Sequence, residues 1–204
     1  MNEGMDTKST KEGKNEAVSK GVQKHVPKTE YAEVTGGLLT VAIFLGGVFG
    51  LLTSIFYYSQ VSVFLLPFIF SENMTLYSFL LIVVFAPLGE ELMKVMPGVF
   101  LETEEELTFS PFGWMILGIG SGLGFTLLEN MLYGFSFVSQ FDWYGGGLLL
   151  LARFLLPVHM LTTSIASYGI GAWKETVDRK YLALLFVAML IHAFHNLFAL
   201  FVGV

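Results

Sequence analysis

The chain is 204 residues long, 54% hydrophobic, with a formal charge of −6 and no cysteine. That apolar load exceeds the roughly 45–50% usual in a soluble domain, and the missing cysteines exclude disulfides, thiolate catalysis and Cys-based zinc sites. The net negative charge comes mostly from one loop and from acids inside apolar runs, so it points to no nucleic-acid partner.

Residues 1–33, "MNEGMDTKSTKEGKNEAVSKGVQKHVPKTEYAE", are polar and mixed in charge. They predict a disordered cytoplasmic tail with no signal-peptide core, and His25 within it carries no expected chemistry. Residues 34–204 form the expected membrane domain. Apolar runs long enough to cross a bilayer (about 18–20 residues) place five spans at about 34–58, 74–100, 112–138, 145–173 and 181–203. Their even hydrophobicity, without alternation, argues against a β-barrel. The predicted fold class is all-α, a polytopic transmembrane helical bundle of about five spans. Residues 59–73, with "VSVFLLPFIF", are short and interrupted by proline, which predicts a re-entrant or interfacial piece.

Charge orients the bundle. Apart from Lys94 and Arg153, every Lys and Arg lies in the tail or in "KETVDRK" after the fourth span. Five spans put both basic segments on one side, which the positive-inside rule makes cytoplasmic. The run "GIGSGLG" (118–124) lies inside a span with no following Lys-Ser/Thr. It therefore reads as close helix packing rather than a phosphate loop.

Ionisable residues inside spans are few: Glu90, Glu91, Lys94, Glu129, Arg153, His159, His192 and His195. A charge at the bilayer centre costs roughly 2.5–3.5 kcal/mol on insertion scales, so each invites a functional reading. Glu90 and Lys94 are four apart and share a helix face, which predicts a pair. Glu91 points about 100° away, with no obvious local partner. A structural ion pair would explain one glutamate and not the second. Pro157, just before His159, frees a carbonyl and bends the fourth span toward a cavity. His192 and Asn196 stack on one face, as ligands or donors to an anionic oxygen; His195 reads as a packing neighbour. Arg153 is expected to pair with an acid or reach an interface.

"EELMK" (Glu90, Glu91, Lys94), "FTLLEN" (Phe125, Glu129, Asn130), "PVH" (Pro157, His159) and "HAFHN" (His192, Asn196) occur in order, each on its own predicted span. In this set the chain resembles the PrsW family of intramembrane proteases, relatives of the CAAX prenyl proteases. The resemblance implies peptide-bond hydrolysis within the bilayer, with a membrane-protein or peptide substrate. It implies a divalent metal, zinc by preference, on Glu129, His159 and His192, since a His₂Glu set with an open position is a known catalytic zinc arrangement. Such a metal would polarise the carbonyl and acidify a water, with Glu90 or Glu91 as general base. In a metal-free variant Glu90 or Glu91 deprotonates water directly while His192 and Asn196 donate to the oxyanion. Counting along the spans puts Glu129 farther from the cytoplasmic ends than Glu90, Glu91 and His192, so the third helix is expected to start late or break at its glycines. Two other readings compete: a non-catalytic membrane scaffold of the same superfamily, and a small ion or proton transporter.

Overall fold

Apolar helices satisfy their own backbone in a bilayer, so how closely two backbones approach decides how they associate. The computed structural model describes residues 30–56, 63, 74–105 and 107–202. The expected tail up to residue 29, and all of the expected re-entrant piece at 59–73 except Val63, lie outside the described residues. Among the described residues all regular structure is helical: α1 (Gly36–Phe56), α2 (Met74–Leu80), a π-helical turn (Leu81–Phe85), α3 (Ala86–Lys94), α4 (Met96–Glu104), α5 (Pro111–Leu155), α6 (Val158–Thr176), a 3₁₀ turn (Arg179–Leu182) and α7 (Ala183–Val202).

The 45-residue α5 doubles back on itself. Arg153 Nη2 stands 2.9 Å from Glu129 Oε2, whereas a straight helix would hold these residues about 36 Å apart. The reversal falls between Gly134 and Leu150, since a Cβ on Gly134 would meet Leu150 Cδ1 at 3.4 Å. Among the described residues the result is five passes alternating in direction: α1; α2 through α4; the first arm of α5; its second arm continued by α6; and α7. Among the described residues, three stretches are long and apolar enough to cross a membrane uninterrupted: Gly36–Thr53, Pro111–Gly134 and Arg179–Phe201. The expected span at 145–173 is corrected. It is broken at Leu156–Pro157, because proline cannot donate to the helical ladder.

The first arm of α5 is the hub. Gly124 lies against the Ile43 carbonyl of α1, and a Cβ on Gly122 would stand 2.5 Å from the His159 carbonyl oxygen of α6. Only glycine lets both neighbours approach that closely, so "GIGSGLG" is a packing seam, as expected. It is also unbroken helix from Pro111 onward. The expected late start or break at the glycines does not occur.

One end of the bundle is knotted by polar contacts. Ala32 N donates to Thr108 O at 2.8 Å, and Tyr31 Oη to Glu175 Oε1 at 2.7 Å. Glu102 Oε1 accepts from Trp114 Nε1 at 2.9 Å and from Phe109 N at 3.0 Å, while Glu102 Oε2 pairs with Lys174. Trp114 is fully buried there beside Ala42, Leu101 and Leu117. Residues 31–34, 102–105, 107–110 and 174–183 therefore share this end.

Candidate active site

From that end, at 1.5 Å per residue, Lys94 and Glu91 lie about 15–20 Å deep, His192 about 14 Å, and His159 and Glu129 about 26 Å. The depth mismatch in the sequence is therefore real, and His159 bridges it.

The second pass is shaped by two prolines. In the π-helical turn, Ala86 N–H reaches Leu81 O. The next such bond would need an N–H at Pro87, which has none, so Ile82 O lacks a backbone donor. Asn196 Nδ2 supplies one at 3.0 Å from α7. Lower down, Pro97 interrupts the ladder and Gly98 N–H bonds Val95 O at 3.2 Å. Lys94 O accepts from Ser121 Oγ instead, at 2.6 Å. Both breaks are stitched by side chains of other passes, which fixes the intervening α3 and its two glutamates.

The Lys94–Glu90 ion pair expected within "EELMK" forms, but Glu91, with no local partner expected, holds Lys94 more closely. Lys94 Nζ meets Glu91 Oε1 at 2.6 Å and Glu90 Oε2 only at 3.7 Å. Glu91 is wholly buried and saturated. It also accepts from Thr162 Oγ1 at 2.9 Å and Thr163 Oγ1 at 3.3 Å, and lies 2.8 Å from His192 Nδ1. Glu90 Oε2 is buried with no hydrogen-bond partner among the described residues. The two adjacent glutamates thus have opposite status, one committed on both oxygens and one open.

The histidine tautomers follow from donor–acceptor logic. Lys94 Nζ can only donate, so His159 Nδ1, 3.1 Å away, accepts. His159 Nε2–H then donates to Glu129 Oε2 at 2.8 Å. His192 Nδ1–H donates to the Glu91 carboxylate, which leaves Nε2 as a lone pair facing Glu90 Oε2 at 3.6 Å. Each imidazole gives its one N–H to a carboxylate, the arrangement that orients histidines around metals. The rings meet edge to face, centroids 4.8 Å apart, and Phe125 caps both His159 (4.7 Å) and Lys94 Nζ (4.4 Å).

Among the described residues, Glu90, His159 and His192 each offer a ligand atom within 4.8 Å of the others. This differs from the expected set of Glu129, His159 and His192. Glu129 Oε2 is occupied by His159 and by Arg153, whose guanidinium stacks 4.2 Å over the Tyr133 ring. Asn196, expected beside the reacting atoms, spends its amide on Ile82 O. Arg153 finds an acid, as expected. Thr162, Thr163 and Ser121 escaped the sequence reading. The threonines stand three and four residues after His159, hence near its face, a spacing that could have flagged them.

A helical membrane bundle with buried acids and histidines converging from four passes belongs to the class of polytopic membrane proteins that do polar chemistry inside the bilayer. The PrsW family of intramembrane metalloproteases matches residues 35–204, and the chain belongs to that family. No curated protein and no solved structure matches it. The family places the chain among proteases that act within the membrane.

Proposed function

We propose that the chain hydrolyses a peptide bond of a membrane-protein substrate, with Glu90, His159 and His192 holding a divalent metal, zinc by preference. The observation that carries this reading is the orphaned, buried Glu90 Oε2. It faces the lone pair of His192 Nε2, with His159 close by, while Glu91 and Glu129 take the imidazole N–H groups. The donor set, two neutral nitrogens and one carboxylate oxygen, suits zinc. When bound, such a metal supplies Lewis-acid polarisation of the scissile carbonyl and an acidic water at neutral pH.

The chain's own residues divide the remaining work. Glu129 carries protons, taking one from water and delivering it to the leaving amine. Its Oε2 is committed to His159 and Arg153, and its carboxylate lines the recess beside them. Glu91 orients His192 and neutralises Lys94. Asn196 holds the turn that precedes Glu90. This reading moves the general base from the glutamate pair to Glu129. It includes the kinship to CAAX prenyl proteases suggested by the motifs, and a cytoplasmic N-terminus.

A metal-free reading has one specific observation in its favour. The Lys94 ammonium already stands among the ligand atoms, 3.1 Å from His159 Nδ1 and 3.7 Å from Glu90 Oε2. In that case Glu90 deprotonates water directly and Lys94 provides the positive charge. Metal content of detergent-purified wild type beside His192→Ala and Glu90→Gln separates the two. Stoichiometric zinc, lost in both variants together with cleavage, supports the metal reading. Cleavage by metal-free wild type, abolished in Glu90→Gln, supports the second. Wild type that cleaves no membrane peptide overturns both.

A further inference from the structure

His159 has one lone pair to give. Its Nε2–H is spent on Glu129 Oε2 at 2.8 Å, so Nδ1 is the nitrogen left to bind a metal. That nitrogen already accepts from Lys94 Nζ at 3.1 Å. A neutral imidazole nitrogen serves one N–H or one metal ion, not both at once. The lysine and a metal therefore compete for the same electron pair.

Lys94 is placed to give up that bond without losing its position. Its side chain is wholly buried, so it has no water to retreat to. Nζ also stands 2.6 Å from Glu91 Oε1 and 4.4 Å from the centre of the Phe125 ring. Glu90 Oε2 lies 3.7 Å from Nζ and makes no hydrogen bond among the described residues. The ammonium thus holds one ligand atom of the Glu90–His159–His192 group, the Nδ1 of His159, and leaves the Glu90 oxygen open. A lysine serving only as counterion to Glu91, one turn earlier on the same helix, needs no bond to a histidine of α6.

We propose that Lys94 is the metal-exchange residue of this site. Its ammonium holds His159 Nδ1 in register with Glu90 and His192, and surrenders it to an incoming metal while keeping Glu91 and Phe125. This role rests on the metal reading and deepens it. Each metal bound costs a hydrogen bond and leaves a cation nearby, so the site binds metal more weakly than the same three ligands would alone. In return His159 keeps its tautomer and its aim, because its buried lone pair is never without a partner.

The test uses the full chain in detergent, with zinc as the only added metal. Zinc affinity is measured by competition against a chelator of known affinity, for wild type and for Lys94→Met, which keeps the bulk of the side chain and removes its N–H groups. Lys94→Met should bind zinc about tenfold to a hundredfold more tightly, the range of one hydrogen bond to a charged group. A merely structural lysine predicts the opposite sign, since its loss would loosen Glu91 and with it His192. Weaker or unchanged affinity therefore overturns the exchange role.

A second measurement needs no variant. In wild type carrying ¹⁵N in lysine and histidine, solid-state NMR should show a through-space cross-peak between Lys94 Nζ and His159 Nδ1, and stoichiometric zinc should remove it. A cross-peak missing before zinc, or unchanged by it, overturns the role even if Lys94→Met fails to fold. Zinc taken by Lys94→Met but refused by wild type means that the lysine never yields, and overturns it as well. Zinc bound by wild type with the cross-peak intact sinks the exchange alone and leaves the metal reading standing. Zinc bound by neither protein sinks both.

Discussion

Lys94 and Glu91 stand one helical turn apart and meet at 2.6 Å, with neither side chain exposed at all. Removing one member of a buried pair leaves the other as an uncompensated charge, at a cost of about 3–5 kcal/mol. Glu91→Gln should therefore lower stability by that order. Glu91→Gln combined with Lys94→Met should recover most of the loss. Glu90→Gln, whose Oε2 makes no hydrogen bond among the described residues, should abolish cleavage with little change in stability. Thermal unfolding in detergent, read beside peptide cleavage, separates these outcomes. Equal destabilisation by both glutamate substitutions would contradict the assigned division of labour.

On the proposed metal reading, Glu129 and His192 play different parts. His192→Ala should eliminate bound zinc, because a ligand is gone. Glu129→Gln should retain zinc with affinity reduced about 10- to 100-fold, as for carboxylates that orient a ligating histidine. Competition titration against a chelator of known affinity measures both. Loss of zinc as complete in Glu129→Gln as in His192→Ala would restore Glu129 as a ligand, the assignment first drawn from the motifs.

The polar knot at the end of the bundle gathers on Glu102, which takes the Trp114 and Phe109 N–H groups and the Lys174 ammonium. Glu102→Ala leaves the donor of the buried Trp114 ring and the Phe109 amide unsatisfied, about 1–3 kcal/mol for such groups. Lys174→Ala removes a half-exposed partner and should cost under about 1 kcal/mol. The ordering of the two variants in denaturation temperature is the test; a larger effect from Lys174 would show that the ion pair, not the hydrogen bonds, holds this end.

After α6 the chain passes through Val177, a β-branched residue at φ 58°, whose N–H bonds Trp173 O. The left-handed region is strained for such a side chain, which is exposed here and packs little. Val177→Gly should raise stability by about 1 kcal/mol, and Val177→Ala by less. No gain from glycine would mean that the closing turn adopts another conformation in the membrane.

Hydropathy alone announced the bundle, because a run of apolar residues of bilayer length has one stable home and one backbone solution. The charged and imidazole residues announced the site, since Glu90, Glu91, Glu129, His159 and His192 are too costly in hydrocarbon to be incidental. Their order along the chain placed the protein in its family. Which carboxylate does what could not be read this way. Glu90 and Glu91 are adjacent, and only the rotation of α3 decides that one sits within hydrogen-bond distance of Lys94, His192 and two threonines while the other keeps a buried oxygen with no hydrogen bond among the described residues. That rotation is set from outside the helix, by Asn196 on Ile82 O and Ser121 on Lys94 O, contacts made across more than twenty residues of sequence. The same holds for Glu129. Its distance from Lys94 along the chain says nothing, and the doubling back of α5, which brings Arg153 to it, is a property of the fold. Local composition determines what must be buried, and tertiary packing determines what each buried charge is left to face.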